Sequence, residues 1–193
     1  MADEVEADVK VGKWETVTDD QLVTTPIFDL SRRRSRHTAR GTKDFYILEA
    51  PAWVNIIPLT AGHQIVFVRQ WRHGISGFTL EIPGGMVDPE DRSPKSAARR
   101  EMREESGYDA KRIVALGRVH PNPAFQPNWC YTYLALDAHQ VGEPIPNADE
   151  ETEVVMVPAA QVSGLIASGK ITHALVIAGF ALFDLYRRKN RAR

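Results

Sequence analysis

Arg100-Glu101-Met102-Arg103-Glu104-Glu105-Ser106-Gly107-Tyr108 is the stretch on which the reading of this chain turns. Laid on a helix, Glu101, Glu104 and Glu105 stand at i, i+3 and i+4, so three carboxylates share one arc of the surface. Like charges so placed cost an isolated helix roughly 0.2–0.5 kcal/mol per pair, and the cluster wants a compensating cation. A hard divalent ion with oxygen ligands is the chemical match, and magnesium is the usual one where phosphates are handled. The helix is well marked: Ser93 suits the N-cap, Pro94 the first helical position, Ala97 and Ala98 favour propagation, and Gly107 supplies the stop. Just upstream, Pro83-Gly84-Gly85 breaks the strand pattern Thr79-Leu80-Glu81-Ile82 with glycines that accept backbone angles closed to other residues. A solvated face of alternating Glu and Arg would account for the glutamates by themselves. The Pro-Gly-Gly turn feeding a capped helix is what favours metal-assisted phosphate chemistry, because it can set backbone carbonyls and a phosphate beside the acids.

Working outward, Val54–Leu59 and Gln64–Gln70 read as strands flanking a short hairpin turn at Thr60-Ala61-Gly62-His63. Further upstream, Trp14, Val17, Val23, Phe28 and Leu30 mark short strands, and Phe45–Leu48 marks another. The basic run Arg32-Arg33-Arg34-Ser35-Arg36-His37 between them reads as a solvated hairpin or loop, with a phosphate contact as the other reading. Downstream of the helix, Ile113–Val119, Cys130–Leu136 and Val154–Val157 are strand patterns, and a polar loop spans Ala138–Glu151. Helices are expected at about Ala159–Ala167 and Thr172–Arg188, the second on the spacing of Ala174, Ile177, Ala178, Ala181, Leu182 and Leu185. Strands, then a helix, then strands and helices imply an α+β fold, an α/β/α sandwich.

Composition narrows the function. The 193 residues suit one domain with some extra; Lys and Arg total 24 against 25 Asp and Glu, so nothing in the net charge draws a nucleic-acid backbone. Any anionic ligand must be met locally. One cysteine, Cys130 in an apolar strand, cannot make an internal disulfide and reads as a small buried hydrophobe. The acidic first residues show no secretory signal, and the apolar Ala174–Phe183 falls short of the about 20 residues a bilayer needs; a cytoplasmic protein without membrane partners is the expectation.

Gly84-Gly85 through Tyr108 resembles the Nudix box, G-x5-E-x7-R-E-U-x-E-E-x-G-U with U a bulky apolar residue. The second half, from Arg100 to Tyr108, matches at every fixed position. The first half does not: counting back from Arg100 reaches Arg92 and Met86 where Glu and Gly are expected. One residue inserted in the loop repairs this and puts Gly85 and Asp91 at the two sites, with Gly84 and Glu90 as the other option. From about Trp14 to Arg188 the chain is similar to the ADP-ribose pyrophosphatase branch of that family. Asp44–Glu49, Val68–Arg72, Leu80–Gly85 and Pro123, fifteen positions after Tyr108, carry the likeness.

The resemblance implies a Nudix fold with a mixed sheet and a small N-terminal β-rich segment, and the division 1–12 mobile tail, 13–48 dimerisation segment, 49–193 hydrolase domain. It implies that Glu101 and Glu105 bind metal directly, joined by Glu104 and the carbonyl of Gly84, with magnesium as the ion and manganese as the alternative. Arg100 would orient the glutamates, Arg72 would hold a substrate phosphate, and Glu81 and Pro123 would stand with the substrate contacts. Glu150 or Glu151, in the acidic run before Val154, would be the catalytic base, Glu150 also being a possible metal ligand. Trp14 and Phe28 are candidates to stack on a nucleobase, although each also suits a core or interface. The implied activity is hydrolysis of a nucleoside diphosphate sugar such as ADP-ribose by a homodimer. The alternatives are another pyrophosphate, such as a dinucleoside polyphosphate, a nucleoside triphosphate or coenzyme A, and a Nudix-fold module that binds a nucleotide sugar without turning it over.

Overall fold

The computed structural model describes residues 11–145 and 151–191, which divide into two units: one reaching to Ala50 and including Asn122–Pro127, the other Pro51–Pro121 with the chain from Asn128 onward. The tail expected at 1–12 falls almost wholly outside the described residues.

The first unit is a three-stranded antiparallel sheet in the order β1-β2-β3, with β1 Glu15–Thr24, β2 Asp29–His37 and β3 Gly41–Glu49. The basic run expected as a hairpin or loop is the middle strand. The reason is cross-strand charge pairing, which stabilises strands as i,i+4 pairs stabilise helices. Arg32 meets Asp20 at 2.9 Å and Arg33 meets Asp19 at 2.6 Å, while Arg34 meets Asp44 at 2.7 Å. The β1–β2 turn is tied by Thr25, whose hydroxyl donates to the Phe28 carbonyl at 2.7 Å and accepts from the Phe28 N–H at 3.0 Å. The Asn122–Pro127 loop belongs to this unit through the Leu48 N–H, which donates to the Phe125 carbonyl at 2.9 Å.

The second unit is a mixed sheet between helices. Its strands are β4 Trp53–Leu59, β5 Gln64–Arg72, β6 Gly77–Glu81, β7 Gly84–Met86, β9 Arg112–Val119, β10 Cys130–Leu136 and β12 Thr152–Pro158, ordered β12-β5-β4-β10-β9 with β6 on β5 and β7 on β4. A two-stranded ribbon joins β8 Tyr108–Asp109 to β11 His139–Gln140, the latter inside the stretch expected as plain loop. The pairing of β4 with β10 is parallel, and both strands are buried on both faces, hence their near-continuous apolar sequence. Alternation along β4 divides the core. Val54 and Ile56 meet Ala97, Ala98 and Met102 of α1 (Pro94–Ser106), and Ile57 meets Val176, Phe180 and Phe183 of α3 (Ala174–Arg191). Short α2, Val162–Ala167, adds Val162 to the α3 side; the residues expected to begin it, Ala159–Gln161, form a 3-10 turn. Cys130 is fully buried, as expected of a structural thiol, and burial pushes its pKa up to about 12. No helix among the described residues is long and apolar enough to cross a membrane.

Both ends of α1 follow local chemistry. Ser93 accepts from the Ser96 N–H at 3.2 Å while the Ser96 hydroxyl accepts from the Ser93 N–H at 2.8 Å, a reciprocal cap in which Ser does the work usually given to Glu. Gly107 ends the helix at φ 72° with its N–H donating to the Arg103 carbonyl at 2.9 Å. A Cβ there would also overlap the Gly142 carbonyl oxygen. Gly107→Ala therefore carries both the left-handed penalty of about 1–2 kcal/mol and a steric clash. A urea melt should show a loss of at least about 1 kcal/mol; an unchanged midpoint would refute this account of the helix stop.

Candidate active site

The acid cluster is organised by Arg100. Its Nη1 donates to Glu101 Oε1 at 2.8 Å and Glu104 Oε2 at 3.0 Å, and its Nη2 to Asp91 Oδ2 at 2.9 Å and the Met86 carbonyl at 3.1 Å. Asp88 Oδ2 lies 3.0 Å from the same Nη2. Helix, loop and the end of β7 are thus fastened at one guanidinium, whose planar fork of donors suits several carboxylates at once. Burial opposes the charge on Arg100, but the hydrogen bond to Asp91 and the charges of Glu101, Glu104 and Asp88 outweigh it and raise its pKa.

This geometry bears on the loop insertion. Asp91, its side chain largely buried, faces Arg100, while Glu90 is exposed. The Arg100 hydrogen bond holds Asp91 below the usual carboxylate range despite partial burial, and its carboxylate also takes the Asp88 N–H at 3.0 Å. Of the two loop acids, Asp91 is the one that contacts Arg100.

Glu101 and Glu105, one turn apart, are both buried, and Glu105 Oε2 accepts the Gly84 N–H at 2.9 Å. Gly85 packs its backbone against Glu101: a Cβ there would lie 2.5 Å from Glu101 Oε1, so the residue must be glycine for the acid to stand where it does. Buried ionised carboxylates are costly unless compensated, and an all-oxygen set of two buried acids, Glu104 and the Gly84 carbonyl suits a hard divalent ion by charge and donor type. As the side chains stand, no three acidic, His or Cys groups among the described residues converge on one point.

Of the two base candidates, Glu150 lies outside the described residues. Glu151 is exposed, and its neighbour Thr152 donates its hydroxyl to the Glu105 carbonyl at 3.0 Å, which brings the start of β12 to the end of the acid-bearing helix. Arg72 and Glu81 form a second assembly. Arg72 Nε and Nη2 each donate to Glu81 at 2.7 Å, and Thr79 Oγ1 donates to Glu81 Oε1 at 2.5 Å. Glu81 is only 3% exposed. Burial would raise its pKa, but the hydrogen bonds and charge of Arg72 prevail and hold it below the ordinary value. Trp14, Phe28 and Pro123 belong to the first unit, where Trp14 makes an edge contact with Phe45 at 5.0 Å. Sequence reasoning missed Asp88, Thr152 and Thr79. The Asp-Pro-Glu-Asp turn at 88–91 was a visible signal for the first; the others are brought in by strand pairing and helix placement.

Residues 50–180 match the NUDIX domain family. The chain belongs to the Nudix family. It is 30% identical over 168 residues to an ADP-ribose pyrophosphatase of Mycobacterium tuberculosis, covering 86% of this chain and 81% of that one. An ADP-ribose pyrophosphatase of Bacillus subtilis is 24% identical, with 83% and 86% covered, and an ADP-sugar pyrophosphatase of Mus musculus 30% identical, with 92% and 83% covered. The crystal structure of an ADP compounds hydrolase shares the fold, with a TM-score of 0.81 at 17% identity over 95% of this chain and 98% of that one. The Nudix resemblance and the α+β architecture read from the sequence are both borne out, and the chain is a Nudix pyrophosphohydrolase.

Asp91→Asn keeps the shape of the Nudix loop and removes one charge from Arg100. Charge-assisted hydrogen bonds of this kind contribute about 1.5–3 kcal/mol. Because the folded pKa of Asp91 lies below the unfolded value, its contribution is present above about pH 4 and is lost as pH falls through the folded pKa. The gap in unfolding free energy between wild type and Asp91→Asn should therefore be open at pH 7 and narrow toward pH 2; equal stability at pH 7 would contradict the role given to Asp91.

Proposed function

We propose that this Nudix hydrolase cleaves the pyrophosphate bond of a nucleoside diphosphate sugar of the ADP-ribose class, giving a nucleoside monophosphate and a sugar phosphate. The observation that carries the reading is the pair of buried glutamates, Glu101 and Glu105, beside the Gly84-Gly85 backbone on a helix fixed by Arg100. The names of relatives that match over more than four fifths of their length support the substrate class.

Glu101, Glu105, Glu104 and the Gly84 carbonyl would hold magnesium, or manganese in its place. The bound ion supplies charge neutralisation at the pyrophosphate and makes water more acidic. The chain's own part is positional and protolytic. Arg100 orients the acids, and Arg72, presented by Glu81, takes a phosphate oxygen. Glu150 or Glu151 accepts the proton of the attacking water. The new bond joins water oxygen to phosphorus, and the bridging P–O bond breaks with its electrons leaving on the departing phosphate. Trp14 and Phe28 offer faces for a nucleobase, Pro123 shapes the substrate loop, and residues 13–48 pair two chains into a homodimer.

The test is a magnesium-dependent assay across ADP-ribose, nucleotide hexoses, a dinucleoside polyphosphate and nucleoside triphosphates, with Glu105→Gln beside wild type. Nucleotide sugars should turn over fastest, chelator should abolish the reaction, and Glu105→Gln should lower kcat by at least about a hundredfold. Faster turnover of triphosphates would reassign the substrate, and binding of ADP-ribose without any hydrolysis would favour a binding module.

A further inference from the structure

The Arg72–Glu81 pair has a third participant. His173 Nε2 lies 3.7 Å from Glu81 Oε2, on the oxygen that also receives Arg72 Nη2, while Thr79 shares the other oxygen with Arg72 Nε. The carboxylate is thus approached from three elements: the end of β5 by Arg72, β6 by Thr79, and the residue before α3 by His173. A gap of 3.7 Å is longer than a hydrogen bond, and a shift of under about 1 Å closes it.

The placement of this imidazole is not explained by packing. Its Nδ1 is buried and meets no hydrogen-bond partner among the described residues, a cost that a satisfied or apolar group would not carry. The backbone that carries it is firmly set. Ile171 and Val176 on either side are 1% exposed, the Asn55 amide donates to the Leu175 carbonyl at 3.2 Å, and the His173 carbonyl accepts the Ile177 N–H at 3.1 Å. Burial, with the nearby Arg72 charge, outweighs Glu81 and keeps the ring neutral at pH 7. A neutral imidazole carries one proton, and with Nδ1 facing no acceptor the favoured tautomer has it on Nε2, toward Glu81. The ring is therefore a neutral group whose proton-bearing nitrogen lies 3.7 Å from the oxygen that fixes Arg72, and it does not compete with the arginine for the negative charge.

We infer that His173 is a positioning residue for substrate binding: by restraining the Glu81 carboxylate it fixes the plane of the Arg72 guanidinium. This rests on the proposal that Arg72 takes a substrate phosphate. With Nε and Nη2 engaged by Glu81, the Nη1 edge of the guanidinium is directed away from that carboxylate, and its aim follows the carboxylate plane. Thr79 and Arg72 Nε hold one oxygen, whereas the other is held, among the described residues, by Arg72 alone, and His173, 3.7 Å from that second oxygen, limits its movement toward α3.

The experiment compares KM and kcat for ADP-ribose with magnesium in wild type, His173→Leu, His173→Gln, Arg72→Ala, and the pair Glu81→Gln and Glu81→Gln/His173→Leu. His173→Leu fills the space without a donor and should raise KM on the order of threefold to tenfold, with kcat within about twofold. His173→Gln, whose amide nitrogen reaches to about the Nε2 position, should restore KM. In the Glu81→Gln background the leucine should add nothing, since its effect runs through that carboxylate. Should the leucine variant not fold, His173→Asn, whose amide falls short of Glu81, replaces it with the same expected rise. An unchanged KM in the leucine or asparagine variant, while Arg72→Ala raises it, overturns the inference and leaves the Arg72 role standing. A fall in kcat matching any rise in KM, or failure of glutamine to rescue, also overturns it. An unchanged KM in Arg72→Ala sinks the phosphate role of Arg72 and this inference with it.

Discussion

Four carboxylates, Asp88, Asp91, Glu101 and Glu104, meet at the guanidinium of Arg100, and the arrangement of the catalytic half of this molecule depends on that contact. Acids crowded together in a partly buried place would ordinarily protonate or push apart. A group that stays positively charged at every accessible pH offsets that repulsion. The same contact sets the geometry around it. Asp88 and Asp91 come from the loop, the Met86 carbonyl from the end of β7, and the glutamates from α1, so loop closure, strand end and helix register are fixed together. Gly85 is the steric counterpart, because Glu101 occupies the space its Cβ would take.

The second arginine inverts this logic. Arg100 is one cation serving several acids, whereas Arg72 is a cation held by one buried acid, Glu81, which is itself held by Thr79. An arginine on a flexible stem pays side-chain entropy whenever it grips a ligand. Binding two of its donors to a carboxylate buried in the sheet removes most of that cost in advance, the ordinary benefit of preorganisation. A fixed acid on β6 and a fixed arginine at the end of β5 are thus one device built across a strand pair.

The sequence was most informative where the physics is local. The caps of α1, the Pro-Gly-Gly turn and the i, i+3, i+4 acids are set by neighbours in the chain, and they stand in the structure where the spacing puts them. It was least informative where the partner is remote. Arg32, Arg33 and Arg34 look like a solvated run until Asp20, Asp19 and Asp44 are brought opposite them by strands whose register no single segment reveals. Counting could not choose between Glu90 and Asp91 across an inserted residue, and only the folded chain shows that Asp91 closes onto Arg100. Glu81, between Leu80 and Ile82, looked like part of a motif and gave no sign of Thr79 or His173, the second of which lies more than ninety positions away in the chain.

The helix dipole gives an independent reason to regard the α1 acids as a site and not as surface decoration. Glu101, Glu104 and Glu105 occupy the C-terminal half of α1, where the partial charge is negative and stability favours Lys or Arg. The carbonyls there are already satisfied. Gly107 caps Arg103, the Ile145 N–H reaches the Glu104 carbonyl at 2.8 Å, and Thr152 reaches that of Glu105. The acids therefore repay nothing to the helix end. They stand against the dipole and against one another, with Arg100 and the Gly84 N–H offsetting part of the cost. A local rule broken this consistently, in a helix otherwise capped by the rules, marks these acids as placed for a reason other than the stability of the helix.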